Sequence, residues 1–305
     1  MTIPERVTAD RWALFSLERP RELQLQDVTV TVANPSSQSA CVVEQKAAPG
    51  QGVGNMGIMK NGSPVEPPRI SVVDSLIRGQ CDLLYLRDAV SARFQVKDAV
   101  VALNGALLHA ACQSEMNNSE NDRFWIDLDS VTCLTYEGLI VTEGVNQLND
   151  YTPPLTITAR DNIFWCGPNR PLISMIDSSD LMEMQRRFVW TGDRNHYDSL
   201  PIFWQLGGRL GLATSRQLDF DAWRNYWGSG EGTGSINSPV KWHIKSPDKS
   251  GPVTVPWSKV DYSAVELDVI SNPTTRVPGA SLSNLPAIPV DRTNSATDDD
   301  ARDSE

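Results

Sequence analysis

The short string WIDLD places Asp127 and Asp129 on one side of an extended segment. Residues two apart on a strand project to the same face at roughly 6.5–7 Å. That lies within the roughly 5–9.5 Å at which glycoside hydrolases set their paired carboxyl groups. A denser polar group follows at TGDRNHYDS, residues 191–199, where Asp193, Arg194, His196 and Asp198 crowd together. There His196 could act as a general base oriented by an aspartate. Each group also has a plainer reading: Asp129 belongs to a recurring structural Asp register and Asp127 has no partner that the sequence assigns, and 191–199 is a polar turn ahead of the apolar LPIFW. The plainer reading is favoured for both, so these residues enter as catalytic candidates only.

The remaining reactive side chains point less clearly to chemistry. His109 and His243 sit inside apolar runs and read as partly buried, satisfied side chains rather than ligands. Glu137 and Glu143 stand near turns and read as solvated, and no Ser-His-Asp spacing is recognisable. The five cysteines, Cys41, Cys81, Cys112, Cys133 and Cys166, form no CxxC pair, which argues against zinc and for small buried thiols in a reducing interior. Seven of the nine tryptophans fall between 165 and 257. Trp165, Trp204, Trp223 and Trp227 are candidates for a sugar-stacking surface. Large aromatics packing a flank or cap against strand ends is the preferred alternative.

What must position these residues is a repeat. RELQLQDVTVTV, RISVVDSLIRG, RFQVKDAVVAL, FWIDLDSVTCL and PLTITARDNIFW each carry an Asp in an alternating segment, at 27, 74, 98, 129 and 161. A second apolar run follows each: ACVVEQ, CDLLYL, GALLHA, EGLIVT and RPLISM. The Asp-to-aliphatic-pair distance is nine to eleven residues in four copies and about fifteen in the first. A hairpin at Asn104-Gly105 would explain one copy, not five. Stacked coils explain all, with short strands pairing in parallel between coils and apolar residues lining one core. Asn104-Gly105 then marks a bend, where Gly supplies positive φ. A β-sandwich or propeller would require antiparallel hairpins and gives no reason for an Asp in fixed register. Asp98 and Asp161 are expected in equivalent places, and Leu84, Leu108, Ile140 and Ile173 in one sheet. One Asp per coil suits bonding at a bend. A Ca²⁺ site built from these acids is the lesser alternative.

Loops are expected at 46–68, 114–122 and 145–154, which are rich in Gly, Asn, Ser and Pro. The coils occupy 1–176. C-terminal coils and a mixed flank follow over 177–289, with a short helix in SSDLMEMQRRFVW, strands at IFWQL and PVKWHI, and a helix over 219–228 capped by Asp219 and stopped by Gly228, the helices packing on the coils. The acidic tail 290–305 is expected to be disordered. A formal net charge of −11 without a basic cluster argues against nucleic-acid binding. No stretch approaches the ~20 apolar residues of a membrane span. The start lacks the pattern of a signal peptide, so a cytoplasmic location is expected, or export with a parent protein if the chain is a fragment.

The stacked Asp register, together with ARDNIFWCGPNRPLI, LDFDAWRNYWG, VKWHI and NPTTRVPGA, resembles the right-handed parallel β-helix regions of planctomycete-type bacterial proteins in the pectin-lyase-like superfamily. Some of these regions lie C-terminal to serine/threonine kinase domains. The resemblance covers roughly 12–290 and implies an all-β, right-handed parallel β-helix with a small Trp-rich C-terminal flank. This chain has no Gly-rich phosphate loop, HRD-type loop or DFG, so it is no kinase. It begins almost on a strand, as if upstream coils or a cap preceded it. Polygalacturonase-like relatives add a further Asp and a His on neighbouring coils, where this sequence offers Lys97 and Asp98. The expectation is therefore a non-enzymatic scaffold or interaction module with a protein or polysaccharide partner and no cofactor. The alternatives are a carbohydrate-binding or polysaccharide-cleaving protein, lyase or hydrolase, and an accessory or sensor region of a kinase-type parent.

Overall fold

The structure, a computed structural model, describes residues 11–18, 21–34, 39–46, 67–88, 91–111, 123–143, 154–176, 182, 185, 187–207, 216–242, 255–267 and 278–288. The chain lays its strands into three sheets in rotation. A six-stranded sheet holds β2 (Glu22–Gln26), β5 (Arg69–Val73), β8 (Ala92–Lys97), β11 (Phe124–Asp129), β14 (Leu155–Arg160) and β17 (Phe188–Asp193). A seven-stranded sheet holds β3 (Thr29–Val32), β6 (Leu76–Gly79), β9 (Val100–Leu103), β12 (Thr132–Thr135), β15 (Ile163–Cys166), β18 (His196–Asp198) and β21 (Ile236–Ser238). The eight-stranded sheet holds β1 (Arg11–Leu17), β4 (Ser39–Gln45), β7 (Asp82–Leu86), β10 (Ala106–Ala110), β13 (Gly138–Glu143), β16 (Ile173–Ile176), β19 (Trp204–Gly207) and β20 (Arg216–Leu218). Neighbouring strands pair in parallel, except that β20 folds back antiparallel on β19. As expected, Leu84, Leu108, Ile140 and Ile173 form one row across the eight-stranded sheet, and all four are buried.

The three strand types differ in sequence because they differ in what covers their outer faces. Strands of the six-stranded sheet alternate apolar and polar, as in ARFQVK and LTITAR, and every second residue faces out. The four middle strands of the seven-stranded sheet, β6, β9, β12 and β15, are buried throughout, as in VVAL and IFWC. Their outward side chains, Leu76, Val100, Ala102, Leu134, Ile163 and Trp165, form a second core with Val240, Trp242, Val260, Ala264 and Val265 of the C-terminal segment. That segment is tied down at several points. Arg78 donates to the Val260 carbonyl, Gly279 N–H to that of Asp161, and Ala280 N–H to Thr132 Oγ1.

Between the first and second strand of each triplet, one residue takes left-handed backbone: Asp27, Asp74, Asp98, Ser130, Asp161 and Arg194, with φ between 46° and 57°. Asp tolerates this region better than most residues. Its N–H then reaches the next triplet, as from Asp98 to the Asp129 carbonyl and from Asp161 to that of Asp193. Asp98 and Asp161 thus hold equivalent places. The fourth copy differs from expectation: Ser130 makes the turn, and Asp129 is the last residue of β11. Where the residue after the turn is polar and points inward, it is satisfied within the stack. Asn162 Oδ1 accepts from Val131 N–H, and Asn162 Nδ2 donates to the Leu128 carbonyl and to Asn195 Oδ1.

Two glycines mark close approaches. Gly79, at φ 138°, leaves no room for a Cβ, which would stand 2.0 Å from the Val32 carbonyl oxygen. Gly105 does not take the positive φ expected of the Asn-Gly bend. A Cβ there would lie 2.3 Å from Asp82 Oδ1, so crowding against that carboxylate explains the residue.

Triplets continue past 176: Leu155 pairs with Phe188, Ile163 with His196 and Ile173 with Trp204. Beyond β20, α1 (Phe220–Trp227) has the expected Asp219 cap and Gly228 stop. Its Trp223 buries completely among Phe188, Trp190, Phe203 and Trp204. Beneath it, Glu231 is 3% exposed. The Glu231 side chain accepts from Trp190 Nε1 at 2.6 Å, Trp223 Nε1 at 3.0 Å and the Tyr197 hydroxyl at 3.3 Å. PVKWHI is no regular strand over 240–242, where Trp242 makes a single antiparallel bridge to Leu267. His243, Cys112, the tail 290–305, the loops at 47–66, 114–122 and 145–153, and most of the helix expected near 178–187 lie outside the described residues.

Candidate functional site

The structure does not gather the catalytic candidates into one cleft. Asp127 and Asp129 face outward on β11, Asp127 between Gln95 and Thr158 and Asp129 between Lys97 and Arg160. Asp193 continues the second of these rows, one strand beyond Arg160. His196 belongs to another sheet, on β18. Its Nε2 lies 3.0 Å from the Ser238 carbonyl oxygen and 3.1 Å from Ser238 Oγ, and burial holds its pKa below the usual range. Asp198 accepts from Val240 N–H and Trp242 Nε1, which anchors the C-terminal segment, while burial raises its pKa. The string TGDRNHYDS is thus one more copy of the recurring turn, with Arg194 in the left-handed position and its guanidinium on Asp161.

The tryptophans serve packing. Trp204 and Trp223 are fully buried at the end of the stack, and Trp227 packs on them half-buried. Trp165 lies against Trp257 under the C-terminal segment. Trp165, Trp204 and Trp223 are buried and present no open stacking face. The Asp ladder is spread along the turns. Among the described residues, the group of side chains spaced like metal ligands is a different one: Asp82, His109 and Glu137.

That group lies on the outer side of the eight-stranded sheet. Asp82 opens β7 and is 6% exposed. Its Oδ1 accepts from Ala106 N–H at 2.8 Å, and its Oδ2 accepts from Arg11 Nη1 at 2.6 Å. His109 on β10 sets Nδ1 3.2 Å from Asp82 Oδ2 and packs edge-on against Tyr85, its neighbour on β7. Arg11 also lies over the Tyr85 ring, 3.8 Å from its centroid. His109 Nε2 is buried and makes no hydrogen bond, with Glu143 Oε2 3.5 Å away. Two carboxylates, one imidazole and one guanidinium therefore meet in a partly dry layer, with the exposed Glu137 beside them.

The charges follow from this geometry. Burial opposes ionisation of Asp82, but His109, Arg11 and the Ala106 N–H outweigh it and hold its carboxyl below the usual range. Burial would likewise lower His109, yet Asp82 and Glu143 lift it to about 9. Burial, then Asp82, raises Glu137, and His109 lowers Glu143. At neutral pH His109 is a cation held between carboxylates. It is a poor general base, since efficient bases titrate near the working pH.

A pH dependence follows. A folded pKa raised from an unfolded value of about 6.5 contributes stability that is complete below that value and is lost as pH rises through about 9. In chelator-containing buffer, urea midpoints are expected to fall between pH 6.5 and 9, and His109→Gln is expected to flatten that slope. An unchanged slope in the variant would show that the imidazole is not the titrating group.

Sequence reasoning identified His109 but read it as satisfied, and it passed over Asp82 and Arg11. The available signal was a polar residue interrupting a strand otherwise buried throughout, as Asp82 does in DLLYL and His109 in ALLHA. Among the described residues, no helix is long and apolar enough to cross a membrane. No family model, curated protein or solved structure matches the chain.

Proposed function

We propose that the three sheets are the faces of a right-handed parallel β-helix, and that this chain is a non-catalytic binding module of the pectin-lyase-like kind. The strand order supports the first part, since every third strand is neighbour to the last. Right-handedness is the rule for a crossover between parallel strands of one sheet.

The observation that carries the functional part is the open outer face of the six-stranded sheet. Three rows of side chains run across it in register. One reads Glu22, Arg69, Arg93, Trp125, Thr156, Val189, and the next Gln24, Ser71, Gln95, Asp127, Thr158, Thr191. The third ends Lys97, Asp129, Arg160, Asp193. Strands in a sheet stand about 4.8 Å apart, so the rows offer hydrogen-bonding and charged groups at a regular short interval. Arg69, Arg93, Lys97, Asp127 and Arg160 are exposed. By contrast, the outward residues of the other two sheets are largely buried. A flat periodic polar face suits an extended hydrophilic polymer, and a polysaccharide is the partner we favour over a protein strand.

Affinity electrophoresis against neutral and acidic polysaccharides tests this. Retardation is expected with at least one class, weakened by Arg93→Ala and Asp127→Ala, without release of reducing ends or unsaturated products. Turnover that disappears in Asp127→Ala while the fold survives would replace the binding role with catalysis. Binding to none of the polymers would remove the polysaccharide reading.

A further inference from the structure

We propose that Asp82, His109 and Glu137 bind a divalent transition-metal ion of the zinc class. One donor atom from each side chain lies within 4.8 Å of the other two. The donors come from successive triplets of the eight-stranded sheet: Asp82 on β7, His109 on β10, and Glu137 immediately before β13. His109 Nδ1 and Asp82 Oδ2 are 3.2 Å apart. Two ligands of a tetrahedral zinc ion with bonds of about 2.0 Å stand at roughly that separation.

The second ring nitrogen supplies an independent reason. His109 is buried, and its Nε2 faces away from Asp82 and is ion-paired with Glu143. Glu143 Oε2 stands 3.5 Å from it. A metal-bound imidazole almost always presents its other N–H to a carboxylate, and Glu143 is placed to receive it. The exposed Glu137 closes the group from the solvent side and leaves a path for the ion to enter. An imidazole with two carboxylates selects a borderline ion such as Zn²⁺ or Co²⁺ over Mg²⁺ or Ca²⁺, which take oxygen ligands.

Arg11 is the built-in competitor. Its guanidinium sits 2.6 Å from Asp82 Oδ2 and neutralises that carboxylate. An ion entering the site displaces the Nδ1 proton of His109 to solvent, leaving the neutral imidazole to coordinate, and shares or displaces the Arg11 contact, so Arg11 sets the affinity without being a ligand.

The experiment uses the full chain, stripped with chelator and titrated with Co²⁺ followed by visible absorption, then with Zn²⁺ by calorimetry. One ion per chain is expected, with Co²⁺ bands typical of a low-coordinate nitrogen–oxygen site that Zn²⁺ bleaches. Glu137→Gln, at an exposed position, is expected to keep the fold by circular dichroism and to weaken Zn²⁺ about tenfold or more. His109→Gln is expected to abolish the bands, and Arg11→Gln to tighten binding. Absence of any bound Co²⁺ would overturn the site. So would wild-type affinity in Glu137→Gln, and that variant is sufficient by itself if His109→Gln does not fold.

Discussion

Leu108→Ala is expected to destabilise the protein by about 2–5 kcal/mol, read as a lowered urea midpoint at unchanged slope. Leu108 is completely buried and occupies the centre of the row that runs from Val43 through Leu84, Ile140 and Ile173 to Trp204. Each side chain of the row rests on those of the strands before and after it. Backbone pairing fixes the spacing between these strands, so the gap left by truncation cannot close by strand movement. A cost well below 1 kcal/mol would mean that this row does not hold the core together. Leu107→Ala is a useful companion, because Leu107 is equally buried and directly precedes Leu108 on β10.

Glu231→Ala is expected to be comparably damaging, for a different reason. It removes one acceptor from two indole N–H groups and a phenol, all buried. An orphaned buried donor costs roughly 1–3 kcal/mol, so three predict a loss of at least about 3 kcal/mol. Glu231→Gln keeps the volume and one oxygen for the two indole N–H groups, which can only donate, and leaves its NH₂ to the Tyr197 hydroxyl, which can accept, so a smaller loss is expected. Near-ultraviolet circular dichroism follows the Trp cluster directly. If Gln behaves like the wild type, the carboxylate is not what holds the rings. Gly192 bears on the same point, since a Cβ there would lie 2.6 Å from Glu231 Oε2.

The repeat was legible because two features recur together: a residue tolerant of left-handed backbone and an aliphatic pair at fixed distance. Asp74 to Leu83 and Asp98 to Leu107 are nine residues each, 83 − 74 and 107 − 98. The same nine-residue step counted back from Leu139 reaches Ser130, not Asp129. Counting acids rather than distance misplaced that turn by one residue. The helix at α1 was legible from its cap, its stop and two tryptophans four apart. The Asp82–His109 contact was not, because it is made between residues 27 apart in sequence by a parallel pairing whose register only the folded sheet defines. That the tryptophans serve packing was the preferred reading of the sequence, but which strands they cover was not legible. That depends on β20 folding back and on the C-terminal segment crossing strands far upstream.

That crossing bears on how the chain is made. The outward apolar residues of β6, β9 and β12 leave the ribosome well before the residues that cover them, since Arg78 waits for Val260, 182 positions later, and Thr132 for Ala280, 148 later. At about 5–20 residues per second, Leu76, Val100 and Leu134 spend several seconds or more without their cover. During that interval the nascent stack presents a bare apolar wall beside growing strand edges, which is a substrate for chaperones or for another nascent chain on the same message. Ribosome-bound chains arrested before residue 240 are the form in which that hazard is greatest, and completing the last fifth of the polypeptide brings it to an end.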